Sequence, residues 1–185
     1  MDALPVYLLI TILLIAVVTD LRSMRIPNWL TFPAIAAGLA YHGITQGLDG
    51  LLFSLAGLGL GFAMMLLPFI LKVMGAGDVK LMTAVGAFLG LKGVFSAFIW
   101  TSLAGGVYAL VVLLFHIPQL KAIGSSIKTS FTTMMVSGEM SYHAATEGQK
   151  LPRLCYGLAI AAGTIVSMYF SGKLAIAFPG VIPAP

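Results

Sequence analysis

Cysteine, histidine and acidic residues are all scarce in this chain of 185 residues, and each shortage excludes a class of protein. The single cysteine, Cys155, excludes an internal disulfide and a multi-cysteine zinc site. The three histidines form no His-Glu-x-x-His motif, and no Gly-x-Ser-x-Gly motif of a serine hydrolase is present. We therefore expect no metal ion and no other cofactor, and we assign no role to Cys155 or the histidines.

Charged residues are also few, at 9% of the chain, whereas 59% of residues are hydrophobic and the mean hydropathy is +1.04. This composition predicts a protein that lies mostly in a membrane, organised as a single domain over residues 1–185. The net charge of +4 does not indicate nucleic-acid binding, because the basic residues are spread between apolar runs. Residues 4–19 follow an acidic start without Lys or Arg, so we interpret them as a retained first span.

Apolar runs separated by turn residues predict an all-α polytopic fold with about six membrane-spanning helices, each needing about 20 residues. The turns fall at 27–28, 47–50, 75–77 and 90–93. The fourth span is short, so it either begins inside the bilayer or is held by its neighbours. The predicted spans are 4–21, 29–46, 51–72, 78–91, 94–116 and 153–178.

Small residues are frequent in these spans, and Gly57 with Gly61 and Gly86 with Gly90 each form a Gly-x-x-x-Gly pattern. Such glycines let helix backbones approach closely. General membrane packing explains the pattern without a functional role. In either case, tight packing of the third and fourth spans against the first could bring distant side chains together.

The distribution of Lys and Arg predicts the orientation of the chain. Lys92 and Lys173 fall in one set of loops, which we expect outside together with both termini. The other eight fall in the opposite set, which we expect in the cytoplasm: Arg22, Arg25, Lys72, Lys80, Lys121, Lys128, Lys150 and Arg153.

The long loop at 117–152 belongs to the predicted cytoplasmic set. Within it, "PQLKAIGSSIKTSFTTMM" has apolar residues at helical spacing, which predicts an amphipathic helix on the inner membrane surface. A mobile polar linker is the alternative.

Two aspartates lie on the same cytoplasmic side in this topology, Asp20 at the end of the first span and Asp78 at the start of the fourth. Two carboxyl groups in one site share a single proton over a range of pH. The ionised one can activate a water that attacks a peptide carbonyl, while the protonated one polarises that carbonyl. This is the chemistry of an aspartic protease. Alternatively, Asp78 caps a helix, and Asp20 pairs with Arg22 or Arg25.

"TDLRSMRIPNWLTF" and "GAGDVKLMTAVGAFLG" resemble the two aspartate motifs of type IV prepilin peptidases. The Gly-x-Gly-Asp core of the second is shared with presenilin-like intramembrane proteases. The later "LPRLCYGLAIAAGTI" is similar to the closing Pro-Tyr-Gly-type segment of the family, although Arg153-Leu154-Cys155 separates Pro152 from Tyr156.

The resemblance implies an aspartic endopeptidase with Asp20 and Asp78 as its catalytic pair. Its substrate would be a prepilin or pseudopilin, whose short basic leader it cleaves at the cytoplasmic face of the bacterial inner membrane. Its other partner would be membrane lipid. Gly75 and Gly77 would allow a tight backbone approach in the second motif.

Three further residues match motif positions and are expected to support the site. Pro27 would break the chain between two helices, and Asn28 would cap the second helix. Lys80 would neutralise the site or contact lipid phosphates.

The short "LRSMRIPN" and the lone cysteine set this chain apart from long family members, which carry a Cys-x-x-Cys insertion and also N-methylate their product. The chain resembles the short form associated with Flp/Tad pili, without methyltransferase activity. Archaeal preflagellin peptidases are an alternative. A transporter or proton-relay protein and a non-enzymatic subunit of a secretion machine are the alternatives from other classes.

Overall fold

The computed structural model describes residues 3–71, 74–115 and 155–181, and within these ranges every regular element is a helix. The expectation of an all-helical protein is therefore confirmed for this part of the chain. The amphipathic helix predicted within 117–152 lies outside the described residues. The five helices are α1 (Leu4–Ser23), α2 (Asn28–Ile70), α3 (Ala76–Phe115), α4 (Tyr156–Phe170) and α5 (Lys173–Ala177).

The contacts divide the chain into two compact units. One comprises Met1–Gly105 and Cys155–Pro185, and the other comprises Gly106–Leu154. Of the second unit, the described part is the end of α3. The first unit contains both Asp20 and Asp78.

Within the described part of the chain, three helical stretches are long and apolar enough to cross a membrane: Leu4–Ser23, Asn28–Ile70 and Ala76–Val112. The second and third are each interrupted by a glycine in a left-handed conformation, Gly47 at φ 62° and Gly90 at φ 70°. Glycine adopts this conformation without the steric cost that a Cβ would add. The breaks predicted at 47–50 and 90–93 are thus present, while the count of six spans stays a prediction.

These breaks divide α2 and α3 into four segments, which we call α2a (28–46), α2b (48–70), α3a (76–89) and α3b (91–115). The last predicted span, 153–178, is not one helix. It comprises α4, a turn at Gly172 with φ 70°, and the short α5. The Tyr7 hydroxyl of α1 donates a hydrogen bond to the Ala177 carbonyl, which holds α5 against the first helix.

The short segment α3a lies at the centre of the helix packing, and nearly all of its side chains are buried. Its neighbours approach closely because the contact residues are small. A Cβ on Gly57 would overlap the carbonyl oxygen of Gly86, and the Ser54 hydroxyl donates to the Ala87 carbonyl at 2.7 Å. On the α2a side, a Cβ on Gly38 would come within 3.0 Å of the Ala87 Cβ.

The break at Gly90 leaves the last carbonyl groups of α3a without partners in their own helix. Two side chains from other elements donate hydrogen bonds to these carbonyl groups. His42 Nε2 donates to the Phe88 carbonyl at 3.1 Å, and Lys173 Nζ donates to the Leu89 carbonyl at 3.4 Å. The positive charge of Lys173 also interacts favourably with the negative end of the helix dipole. The far end of α3a, near Asp78, is the end that carries the candidate site.

Candidate active site

Asp20 lies in the last turn of α1, and its position follows from how that helix ends. Met24 adopts the left-handed conformation, and its N–H donates to the Asp20 main-chain carbonyl at 2.7 Å. This is a common helix ending, which satisfies a terminal carbonyl and turns the chain away. The Asp20 side chain is only 6% exposed, and it accepts a hydrogen bond from the Gly157 N–H of α4 rather than pairing with Arg22 or Arg25.

Asp78 lies in the first turn of α3 and is 9% exposed. Its Oδ2 accepts a hydrogen bond from the Gly75 N–H at 3.0 Å, just before the helix begins. A carboxylate three residues into a helix that reaches back to the N-cap N–H forms one half of a capping box. The capping interpretation of Asp78 therefore describes its geometry correctly.

The fold brings the two aspartates together from helices that are far apart in sequence. They are close enough for the charge of Asp20 to act on the Asp78 carboxyl group. Both are largely removed from solvent, so this interaction is screened less than it would be at a surface. The arrangement is a pair of buried carboxyl groups within electrostatic range of each other.

The segment Cys155 to Gly157, at the start of α4, forms a third side of the site. The Gly157 N–H lies 2.9 Å from Asp20 Oδ2, and Cys155 Sγ lies 3.9 Å from the Asp20 carbonyl oxygen. The Cys155 thiol lies within electrostatic range of both aspartates, and the Tyr156 side chain lies within electrostatic range of Asp78. Reasoning from sequence assigned no role to Cys155 or Gly157. The only signal was the resemblance of this stretch to a family segment.

The sequence of the region that holds both aspartates decides the family. Residues 7–110 match the type IV leader peptidase family. The chain belongs to this family.

A curated member of the leader peptidase family gives a second comparison. Over 117 residues the chain is 30% identical to the prepilin leader peptidase/N-methyltransferase of Bacillus subtilis (strain 168). The aligned region covers 62% of this chain and 46% of that protein, so the chain spans less than half of its relative. No solved structure matches the chain significantly.

The two glycines of the second leader peptidase motif differ in their surroundings. A Cβ on Gly77 would lie 3.0 Å from the Ile26 Cβ, so the start of α3 packs tightly on the turn between α1 and α2. A Cβ on Gly75 would lie 3.4 Å from Asp78 Oδ2, which is an ordinary van der Waals contact. The close approach therefore occurs at Gly77, while Gly75 contributes its N–H.

Pro27 and Asn28 lie at the start of the second helix, α2. Pro27 is extended, with ψ 146°, and immediately precedes α2, so it separates the two helices as expected. Asn28 is the first helical residue and its side chain does not cap the helix, which corrects the expected role. Its Oδ1 instead accepts a hydrogen bond from Lys80 Nζ at 2.8 Å.

Lys80 links α3a to α2a and does not contact the Asp78 carboxylate. Besides the bond to Asn28, its ammonium lies 4.9 Å from the centre of the Phe32 ring, in the geometry of a cation–π contact. Across the described ranges, no three His, Cys, Asp or Glu side chains come together as a group that could hold a metal ion.

Proposed function

We propose that the protein is a membrane aspartic endopeptidase that cleaves the short basic leader of Flp-type prepilins at the cytoplasmic face of the bacterial inner membrane. The observation that supports this most directly is the pair Asp20 and Asp78, buried and within electrostatic range of each other. Membership of the type IV leader peptidase family supports a prepilin as the substrate class.

The proposed mechanism uses one proton shared between the two carboxyl groups. The ionised aspartate accepts a proton from a water molecule, which attacks the scissile peptide carbonyl. The protonated aspartate donates a hydrogen bond to the carbonyl oxygen as negative charge develops there. It then supplies the proton that the leaving amine needs, so that the C–N bond breaks and the pair returns to its starting protonation state.

Burial of the pair serves this chemistry in two ways. Taking both carboxyl groups out of bulk water makes it costly to ionise both, so the half-protonated state is favoured. Each group is also held by an N–H donor before substrate arrives, so little reorganisation is needed in the transition state.

Cleavage by purified, reconstituted protein of a candidate Flp prepilin tests the proposal. Asp20→Asn and Asp78→Asn should each abolish detectable cleavage, and the double variant should be no worse than either single variant, because the residues act as a unit. Asparagine keeps an oxygen that can accept from the Gly157 or Gly75 N–H, so both variants should insert and accumulate normally. Asp→Glu at either position should also fail, since a displacement of about 1 Å can cost roughly 100-fold.

Asp49→Asn is the matched control, because Asp49 is an exposed acid in α2b and should retain wild-type cleavage. Substantial cleavage by either single variant of the pair, at normal protein levels, would contradict the mechanism in favour of simple helix capping. A preflagellin substrate cleaved in preference to the prepilin would indicate the archaeal-type specificity instead.

The same cleavage assay tests the expected lack of methyltransferase activity. Mass spectrometry of the processed prepilin, with S-adenosylmethionine supplied, should show a free amino terminus. A methyl group that depends on this protein would refute that part of the proposal. Cleavage should also persist in the presence of a metal chelator, because the proposed chemistry uses only the two carboxyl groups.

A further inference from the structure

Two glycine N–H groups hold the two aspartates in the same manner. The Gly75 N–H donates to Asp78 Oδ2 at 3.0 Å, and the Gly157 N–H donates to Asp20 Oδ2 at 2.9 Å. Gly75 immediately precedes α3 and Gly157 lies in the first turn of α4, and N–H groups at such helix starts lack partners within the helix. Among the described residues, each carboxyl group accepts its hydrogen bond through Oδ2, and Oδ1 accepts none.

The two glycines differ in the space around them. A Cβ on Gly157 would lie 2.8 Å from Asp20 Oδ2 and 3.3 Å from both Cβ and Cγ of Asp20. Contacts under 3.0 Å are essentially never seen for a real Cβ, so the Asp20 side chain would have to move. A Cβ on Gly75 would meet only an ordinary contact at 3.4 Å.

We propose that Gly157 is a positioning residue of the peptidase site, a claim that rests on the proposed function. Its N–H sets the rotation of the Asp20 carboxyl group, and its lack of a side chain leaves the space that this group occupies. Helix α4 thereby becomes part of the site together with α1 and α3.

Two alanine variants of the full chain, reconstituted in liposomes with a prepilin substrate, provide the kinetic test. Gly157→Ala should lower kcat by roughly 100-fold, as expected for a displaced catalytic group, with KM changed less than about threefold. Gly59→Ala, whose Cβ would meet nothing within 4 Å, is the control for adding a methyl group to a helix.

Hydrogen–deuterium exchange gives a second test that does not depend on cleavage or on whether Gly157→Ala accumulates. Gly157 is the second residue of α4, so protection of its amide must come from Asp20. Asp20→Ala should therefore raise exchange at the start of α4 at least tenfold, whereas Asp78→Ala should leave it unchanged.

The two tests separate the possible failures. Unchanged exchange in Asp20→Ala, or wild-type kcat in Gly157→Ala, overturns the positioning role even if the wild type cleaves prepilin. Failure of the wild type to cleave overturns the proposed function, and the exchange result then still decides whether Gly157 holds Asp20.

Discussion

At the scale of single residues, Asp78 satisfies the capping interpretation without excluding the catalytic one. Its carboxylate accepts from the N-cap N–H, as in one half of a capping box, and it also interacts with Asp20. A capping bond uses one carboxylate oxygen and leaves the other free. The two interpretations that compete when the sequence is considered alone are therefore compatible in the structure.

Local sequence could place Asp20 and Asp78 at helix ends but could not reveal Gly157. Turn residues and the change from apolar to polar residues mark the ends of α1 and the start of α3. The bond between Asp20 and Gly157 joins residues 137 positions apart, and it depends on how α1 packs against α4. A glycine in an apolar helix gives no local indication of such a contact.

The bond between Lys80 and Asn28 predicts a bracing role for both residues. Asn28→Ala and Lys80→Met should each lower stability by less than about 1 kcal/mol, because the pair is exposed, and the double variant should lose no more than either one. Thermal unfolding in detergent measures this, with Lys92→Met as a control for removing an exposed lysine. If Lys80→Met lost cleavage at unchanged stability, Lys80 would belong to the chemistry.

At the scale of elements, the sequence predicted the two internal breaks and missed the third. Gly47 and Gly90 stand in obvious turn stretches between apolar runs, and both are non-helical. Gly172 breaks the last predicted span, and the Ser-Gly pair at 171–172 was the available signal. The sequence did not predict this break because apolar residues continue on both sides of the Ser-Gly pair. The hydrogen bond of Tyr7 that holds α5 against α1 is a tertiary contact, which local sequence does not indicate.

The contact between α2b and α3a predicts opposite outcomes for two nearby glycines. Gly57→Ala should destabilise the protein by about 1–3 kcal/mol or more, because the new methyl group would overlap the Gly86 carbonyl and force the helices apart. Gly59→Ala should be neutral or stabilising by up to about 1 kcal/mol, since a Cβ at this position would meet no atom within 4 Å and alanine has a higher helix propensity than glycine. Apparent melting temperatures in detergent compare the two, and equal values would contradict this packing.

At the scale of the whole molecule, two lysines lie at opposite ends of α3a. Lys80 lies in its first turns, close to Asp78, whereas Lys173 contacts its last turn at Leu89. His42 and Phe53 contact each other on either side of the Gly47 break, and His42 also reaches Phe88. The Gly47 turn therefore lies near the end of α3a opposite to Asp78. The distribution of Lys and Arg predicts that these two ends face opposite sides of the membrane.

This arrangement predicts that the Gly47 turn faces away from the cytoplasm and that both termini do so too. Reporter fusions after Gly47 and after Ser137 should report opposite sides of the membrane, with position 137 cytoplasmic. Activity of both fusions on the same side would overturn the predicted number of spans.

The shortness of α3a has a consequence for the lipid around it. At a rise of 1.5 Å per residue, the segment 76–89 is about 21 Å long, well below the roughly 30 Å of a typical hydrocarbon layer. If its Gly90 end lies at one boundary of that layer, Asp78 lies beneath the other boundary, where water enters only if the bilayer thins locally. Cleavage should therefore be fastest in liposomes of short-chain lipids and should slow as the acyl chains lengthen, while the same detergent-solubilised protein shows no such trend. A rate that is independent of acyl-chain length would mean that the protein carries water to Asp78 without deforming the membrane.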